Sequence, residues 1–111
     1  MQRRFGTLAG APPLIVEITN YYARPGQADS VLQQRRHATA IRVSLGLSAG
    51  RIFRKIEGAG PDVRWECEFP TREEYEADMS ARAASAEFGV NRQRMHELLD
   101  RFERHLQQSV D

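Results

Sequence analysis

Residues 61–78, PDVRWECEFPTREEYEAD, read as a strand that runs straight into a helix. Val63, Trp65, Cys67 and Phe69 alternate with Arg64, Glu66 and Glu68, the period-two pattern of a strand with one apolar and one charged face. Pro70 ends the alternation. Thr71 then supplies an N-cap oxygen, and Glu74 three residues later completes a capping box. A strand feeding a helix this directly predicts a layered α+β domain. What the charged face looks at becomes the functional question.

Upstream, Arg51–Glu57 reads as a second strand joined to this one by 58–62, GAGPD, a loop of hairpin length. Further back, Leu14–Tyr22 alternates as a strand, with Leu14, Val16 and Ile18 on one side and Ile15, Glu17, Thr19 and Tyr21 on the other. The turn at 23–27, ARPGQ, leads into a helix from Ala28 to about Leu45, with Gly46 as its C′ residue. Val31, Leu32, Ala38 and Leu45 fall near one side of that helix. Arg35 and Arg42 project onto the same side, where a long cationic chain is expected to snorkel outward or to reach an acidic group, and His37 projects away.

Downstream, a helix from Arg72 to about Ala84 places Tyr75, Met79 and Ala83 at four-residue spacing. Residues 85–91 are a weak point, where Phe88-Gly89 bends the chain or joins two helical pieces. From Val90, the residues Met95, Leu98, Leu99, Phe102 and Leu106 keep a helical period. Phe102, Leu106 and Val110 also fit a strand whose other face carries Glu103, His105, Gln107 and Ser109, and period alone does not choose between the two.

At 111 residues the chain is bounded to one domain, expected over 13–111 with a flexible arm at 1–12. A net charge of +1 gives no long-range attraction to nucleic acid, so no nucleic-acid partner is expected. Lys55 is the only lysine; the other cations are arginines, suited to planar pairing with carboxylates. Cys67, the only cysteine, shares the parity of Trp65 and Phe69 and reads as packing rather than as a nucleophile. No HxxxH or CxxC spacing supports a metal, and 46–50, GLSAG, lacks the lysine of a phosphate loop, so no metal or cofactor is expected. MQRRF at the start has no apolar run behind it to make an export signal, and no stretch approaches a membrane span. The expectation is a cytoplasmic protein without a membrane partner.

The order strand–helix–strand–strand–helix, with a last strand, is the βαββαβ ferredoxin-like plan with an antiparallel sheet. On VEITNYYARPGQADSVL at 16–32 and VRWECEFPTREEYEA at 63–77, the chain resembles the dimeric α+β barrel superfamily, in particular NIPSNAP-like and antibiotic-biosynthesis-monooxygenase-like small proteins. The resemblance implies a homodimer whose sheets meet face to face in a barrel. It implies a fourth strand at about Phe102–Ser109, which decides for the strand there. It implies, for an enzyme, a cofactor-independent oxygenase or isomerase. The superfamily's histidine and asparagine–tryptophan sites have no clear counterpart: His37 projects outward, and Asn20 and Trp65 share the parity of the face expected to pack on helices.

If Leu14, Val16 and Ile18 pack on helices, then Glu17, Thr19 and Tyr21 face the partner sheet together with Arg64, Glu66 and Glu68. Glu17 then lies near Glu66 or Glu68. Two carboxylates sharing an enclosure cannot both ionise easily, which makes Glu17 and Glu66 the candidate catalytic acid and base. Thr19, Tyr21, Arg64, Glu68 and His105 are the candidate ligand-binding residues around a small organic molecule. The competing reading pairs these charges across the sheets, with Arg64, Arg54 or Lys55 neutralising the carboxylates, in a non-catalytic dimeric module that senses a ligand or a protein partner.

Overall fold

The computed structural model describes residues 13–110, so the expected arm at 1–12 lies outside the described residues. The elements follow as β1 (Ile15–Ala23), α1 (Ala28–Ser44), β2 (Arg51–Arg54), β3 (Val63–Phe69), α2 (Arg72–Ala83), α3 (Ala86–Glu97) and β4 (Leu99–Gln108). The strands form one antiparallel sheet in the order β2-β3-β1-β4. This is the ferredoxin-like plan, with its second crossover split into two helices.

Local chemistry sets the boundaries. The Gln27 N–H closes a turn on the Arg24 carbonyl at 2.9 Å, with Pro25 at its second position, and α1 starts there. At the other end, Leu47 N–H reaches the Arg42 carbonyl at 2.9 Å and Gly46 N–H the Val43 carbonyl at 3.0 Å. That is a Schellman motif, and Gly46 supplies the left-handed φ of +78° that it requires. Thr71 Oγ1 accepts from Glu74 N–H at 3.1 Å, the predicted cap of α2. The weak point at 85–91 resolves as a break at its start, between Ala83 and Ala86. Ser85 caps α3 by accepting from Phe88 N–H at 3.1 Å, and Phe88-Gly89 continues as helix. The last strand begins at Leu99, earlier than expected, because the helical run ends at Glu97 and β1 takes β4 as its second neighbour.

Register fixes which face each side chain joins, since residues opposite one another in a ladder share a face. Glu17 lies opposite Cys67, Thr19 opposite Trp65, and Tyr21 opposite Val63. All six belong to the side covered by the helices. Val16, Ile18 and Asn20 lie opposite Glu68, Glu66 and Arg64 on the open side. The face expected for β3 is therefore found, whereas the face expected for β1 is inverted, Asn20 included. β4 adds Phe102, Arg104 and Leu106 to the helix side and Glu103 and His105 to the open side.

The main core gathers Tyr21, Val31, Leu32, Val63, Trp65, Cys67, Phe69, Tyr75, Met95 and Leu99; a smaller cluster of Ala38, Ile41 and Phe88 ties α1 to α3. Trp65 Nε1 donates to the Ala49 carbonyl at 3.0 Å, which holds the α1–β2 connection onto the sheet. Gly50 sits where a Cβ would come within 2.5 Å of both Trp65 Nε1 and the Glu66 carbonyl, at a φ of +67°. Gly50→Ala is expected to cost about 2 kcal/mol, from left-handed strain and overpacking together. Urea unfolding of the pair measures it, and a loss under about 0.5 kcal/mol would mean that the Trp65 contact yields freely.

Candidate functional site

The polar residues that β1 sends beneath the helices are matched by arginines. Glu17 is 1% exposed. Arg82 of α2 grips it with two parallel bonds, Nη1 to Oε2 at 3.1 Å and Nη2 to Oε1 at 2.8 Å, and Arg104 of β4 adds Nε to Oε2 at 2.9 Å. Arg82 Nε also lies 3.0 Å from Asp78 Oδ1. Asp78 in turn takes a fork from Arg42 of α1, at 2.9 Å and 2.7 Å. Arg42 is fully buried; it donates its Nε to the Ser48 carbonyl at 2.7 Å and Nη2 to Cys67 Sγ at 3.6 Å. Arg104 Nη2 donates to the Tyr75 hydroxyl at 2.6 Å. An unbroken line, Arg104–Glu17–Arg82–Asp78–Arg42, thus joins β4, β1, α2 and α1. Burial of such charges is tolerable only where hydrogen bonds replace water in this way.

Beside this line, between helices and sheet, lies a partly enclosed cavity of about 370 Å³. β1 supplies Glu17, Thr19 and Tyr21 to its wall, α1 supplies Arg35 and Ala38, and β3 supplies Trp65. Met79, Arg82 and Ala83 come from α2, and Phe88, Asn91, Arg92, Met95 and His96 from α3. Phe102 and Arg104 of β4 complete it. By strand rise, Glu17 and Tyr21 stand about 13 Å apart along the cavity floor. One end is ionic. The other is aromatic, with the Tyr21 and His96 rings 6.0 Å and 5.5 Å from Phe102.

Arg35 is 4% exposed. Its Nη1 donates to the Tyr21 hydroxyl at 3.1 Å and its Nη2 to Thr39 Oγ1 at 3.3 Å, while Nε is buried without a partner among the described residues. Its guanidinium lies 4.5 Å from the centre of the Trp65 ring, and that of Arg42 lies 4.8 Å from it. Burial lowers the Arg35 pKa from the usual arginine range, partly offset by Tyr21. Both arginines that α1 places on its apolar side are therefore buried. They do not snorkel, because Asp78, Tyr21 and the Trp65 face receive them. His37 is exposed, as expected, and meets the Asn91 amide at 3.2 Å.

The structure divides the residues expected to form one site. Glu17, Thr19 and Tyr21 line the cavity; Arg64, Glu66, Glu68 and His105 lie on the opposite face of the sheet. Glu17 and Glu66 do not share an enclosure, so the condition behind their proposed acid–base pairing is not met. Glu66 pairs instead with Arg64. His105 Nε2 stands 3.7 Å from Glu103, whose carboxyl is held below the usual range by hydrogen bonds from Asn20 and Tyr22. Cys67 is buried, and its thiol pKa is pushed up by burial, in keeping with packing. Among the described residues, no three His, Cys, Asp or Glu side chains form a group that could hold a metal ion, and no helix is long and apolar enough to cross a membrane. Arg82, Arg104 and Asp78 were not marked by sequence. The four-residue spacing of Asp78 and Arg82 on one helix was their one available signal.

No family model matches the sequence, and no curated protein matches it. Solved structures do. A NIPSNAP family protein from Agrobacterium tumefaciens superposes with a TM-score of 0.71 at 20% identity, over 88% of this chain and 87% of that one. An antibiotic biosynthesis monooxygenase gives 0.65 at 18%, over 88% and 99%. A dimeric protein of unknown function and ferredoxin-like fold from Bacteroides fragilis gives 0.61 at 13%, over 86% and 94%. The chain has the ferredoxin-like α+β fold that NIPSNAP proteins and monooxygenase-like proteins of this kind share.

Proposed function

We propose that the protein binds a small organic molecule in the cavity between helices and sheet, and that it does so as a homodimer. The cavity carries the proposal. Its volume of about 370 Å³ suits a small ligand. Met79, Phe88, Met95 and Phe102 give it apolar walls, and convergent polar groups sit at each end. The open sheet face supports the dimer. It presents Phe53, 41% exposed, next to Arg64 and among further charged side chains, and the Bacteroides fragilis protein is described as dimeric.

Binding is favoured over catalysis by Glu17, because three N–H groups of Arg82 and Arg104 already engage its carboxylate. An oxygenase, which the name of the antibiotic biosynthesis monooxygenase suggests, or an isomerase would draw on the Tyr21 hydroxyl or on His96 at the rim. Titration calorimetry with a panel of aromatic compounds tests the binding. Saturable binding that Ala83→Phe weakens at least tenfold is expected, since Ala83 lies in the wall. Binding indifferent to that substitution would remove the cavity from the proposal. Sedimentation is expected to give twice the monomer mass at micromolar concentration, and a monomer there would remove the dimer.

A further inference from the structure

The charges around the cavity do not balance. Among the described residues, Arg35, Arg82 and Arg104 line it, with Arg92 at the rim, against the single carboxylate of Glu17. Glu17 is already divided between Arg82 and Arg104, and Arg82 shares Asp78 with Arg42. Arg35 is left over. It is buried, and among the described residues no carboxylate reaches it and only two of its five N–H donors find acceptors, both hydroxyls. Arg42 and Arg82 add repulsion. The Trp65 face attracts the guanidinium but cannot replace the water that burial removes. A buried arginine in this condition lacks an anion.

We infer that the cavity takes a small organic carboxylate, its carboxylate accepting from Arg35 and from the Tyr21 hydroxyl, and its apolar body lying against Phe88, Met95 and Phe102. This rests on the reading of the cavity as a binding site. A planar guanidinium is matched to a carboxylate by its parallel N–H pairs. Tyr21 accepts from Arg35, and its own proton has no acceptor among the described residues, so it is free for a ligand oxygen. Phe88, Met95 and Phe102 in the wall favour a ligand with an apolar body over one that is anionic throughout. One unpaired arginine answers one carboxylate.

Calorimetric titration with benzoate and 1-naphthoate, each against its neutral amide, tests the inference. The carboxylates are expected to bind at least tenfold more tightly than the amides. Arg35→Gln removes a buried charge and is expected to fold; it should abolish the preference for acid over amide, and Arg35→Lys should keep part of it. Equal binding of acid and amide by the unaltered protein would overturn the inference and leave the cavity reading standing. Binding of neither series would overturn both. A carboxylate preference that survives in Arg35→Gln would assign the anion to another arginine and refute the role of Arg35.

Discussion

Asp78→Ala is expected to destabilise the protein by about 3–5 kcal/mol, the range for removing one member of a buried ion pair. Arg42, fully buried, loses both bonds of its fork, and the Ser48 carbonyl, the Cys67 sulfur and the Trp65 face do not neutralise it. Arg82 loses a second carboxylate at the same time. The damage comes from the stranded charge more than from the lost contact. Asp78→Ala combined with Arg42→Met should therefore be more stable than Asp78→Ala alone, a coupling that a double-mutant cycle isolates. Urea unfolding of the four proteins supplies the numbers. A single-variant loss below about 1 kcal/mol would show that water reaches Arg42, and that the line of charges is not a buried one.

Trp65→Ala is the second large effect, expected at about 3–5 kcal/mol for an aromatic side chain removed from a packed core. The ring is 1% exposed and packs within the main cluster. Three further roles end with it. The Ala49 carbonyl loses its donor, and Arg35 and Arg42 lose the face they lie against. Trp65→Phe keeps a ring and loses the N–H, so it should cost clearly less. Thermal and urea unfolding of the two variants separate the terms. Equal losses would mean that the Ala49 bond carries most of the effect, and a loss under about 1 kcal/mol for alanine would contradict the packing described here.

Trp65 also shows how far the chain can be read unaided. Its strand, the Thr71 cap that follows, the Pro25 turn and the Gly46 cap are written in local patterns whose physics is local, and each stands where expected. β1 differs. Its alternation is clear, but the apolar set Val16 and Ile18 looks outward, and Glu17, Thr19 and Tyr21 turn under the helices. Nothing within β1 announces that. The decision is made by register against β3, and by Arg82 and Arg104, far away in sequence, which make the buried carboxylate tolerable. Arg35 and Arg42 are a similar case. Helical projection places them on the packed side of α1, yet only the assembled core shows that Asp78 receives one and that no carboxylate among the described residues receives the other. The C-terminal strand was ambiguous for another reason: its apolar spacing satisfies both periods, and the need of β1 for a second neighbour resolves it.

The two connections that flank β2 have opposite histories open to them. The one before it is pinned at Ala49 by the indole of Trp65 and closed at Gly50 by atoms on which a side chain would collide. The one after it runs from Lys55 to Asp62 through exposed residues, with Ile56 93% exposed, and its ends are already joined by the Lys55 N–H to the Asp62 carbonyl at 3.0 Å. An insertion in the first must rebuild the wall behind the indole. An insertion in the second meets only solvent, at the small entropic cost of a longer closed loop. Length variation among descendants of this chain, and any reporter grafted onto it, belongs at 56–61.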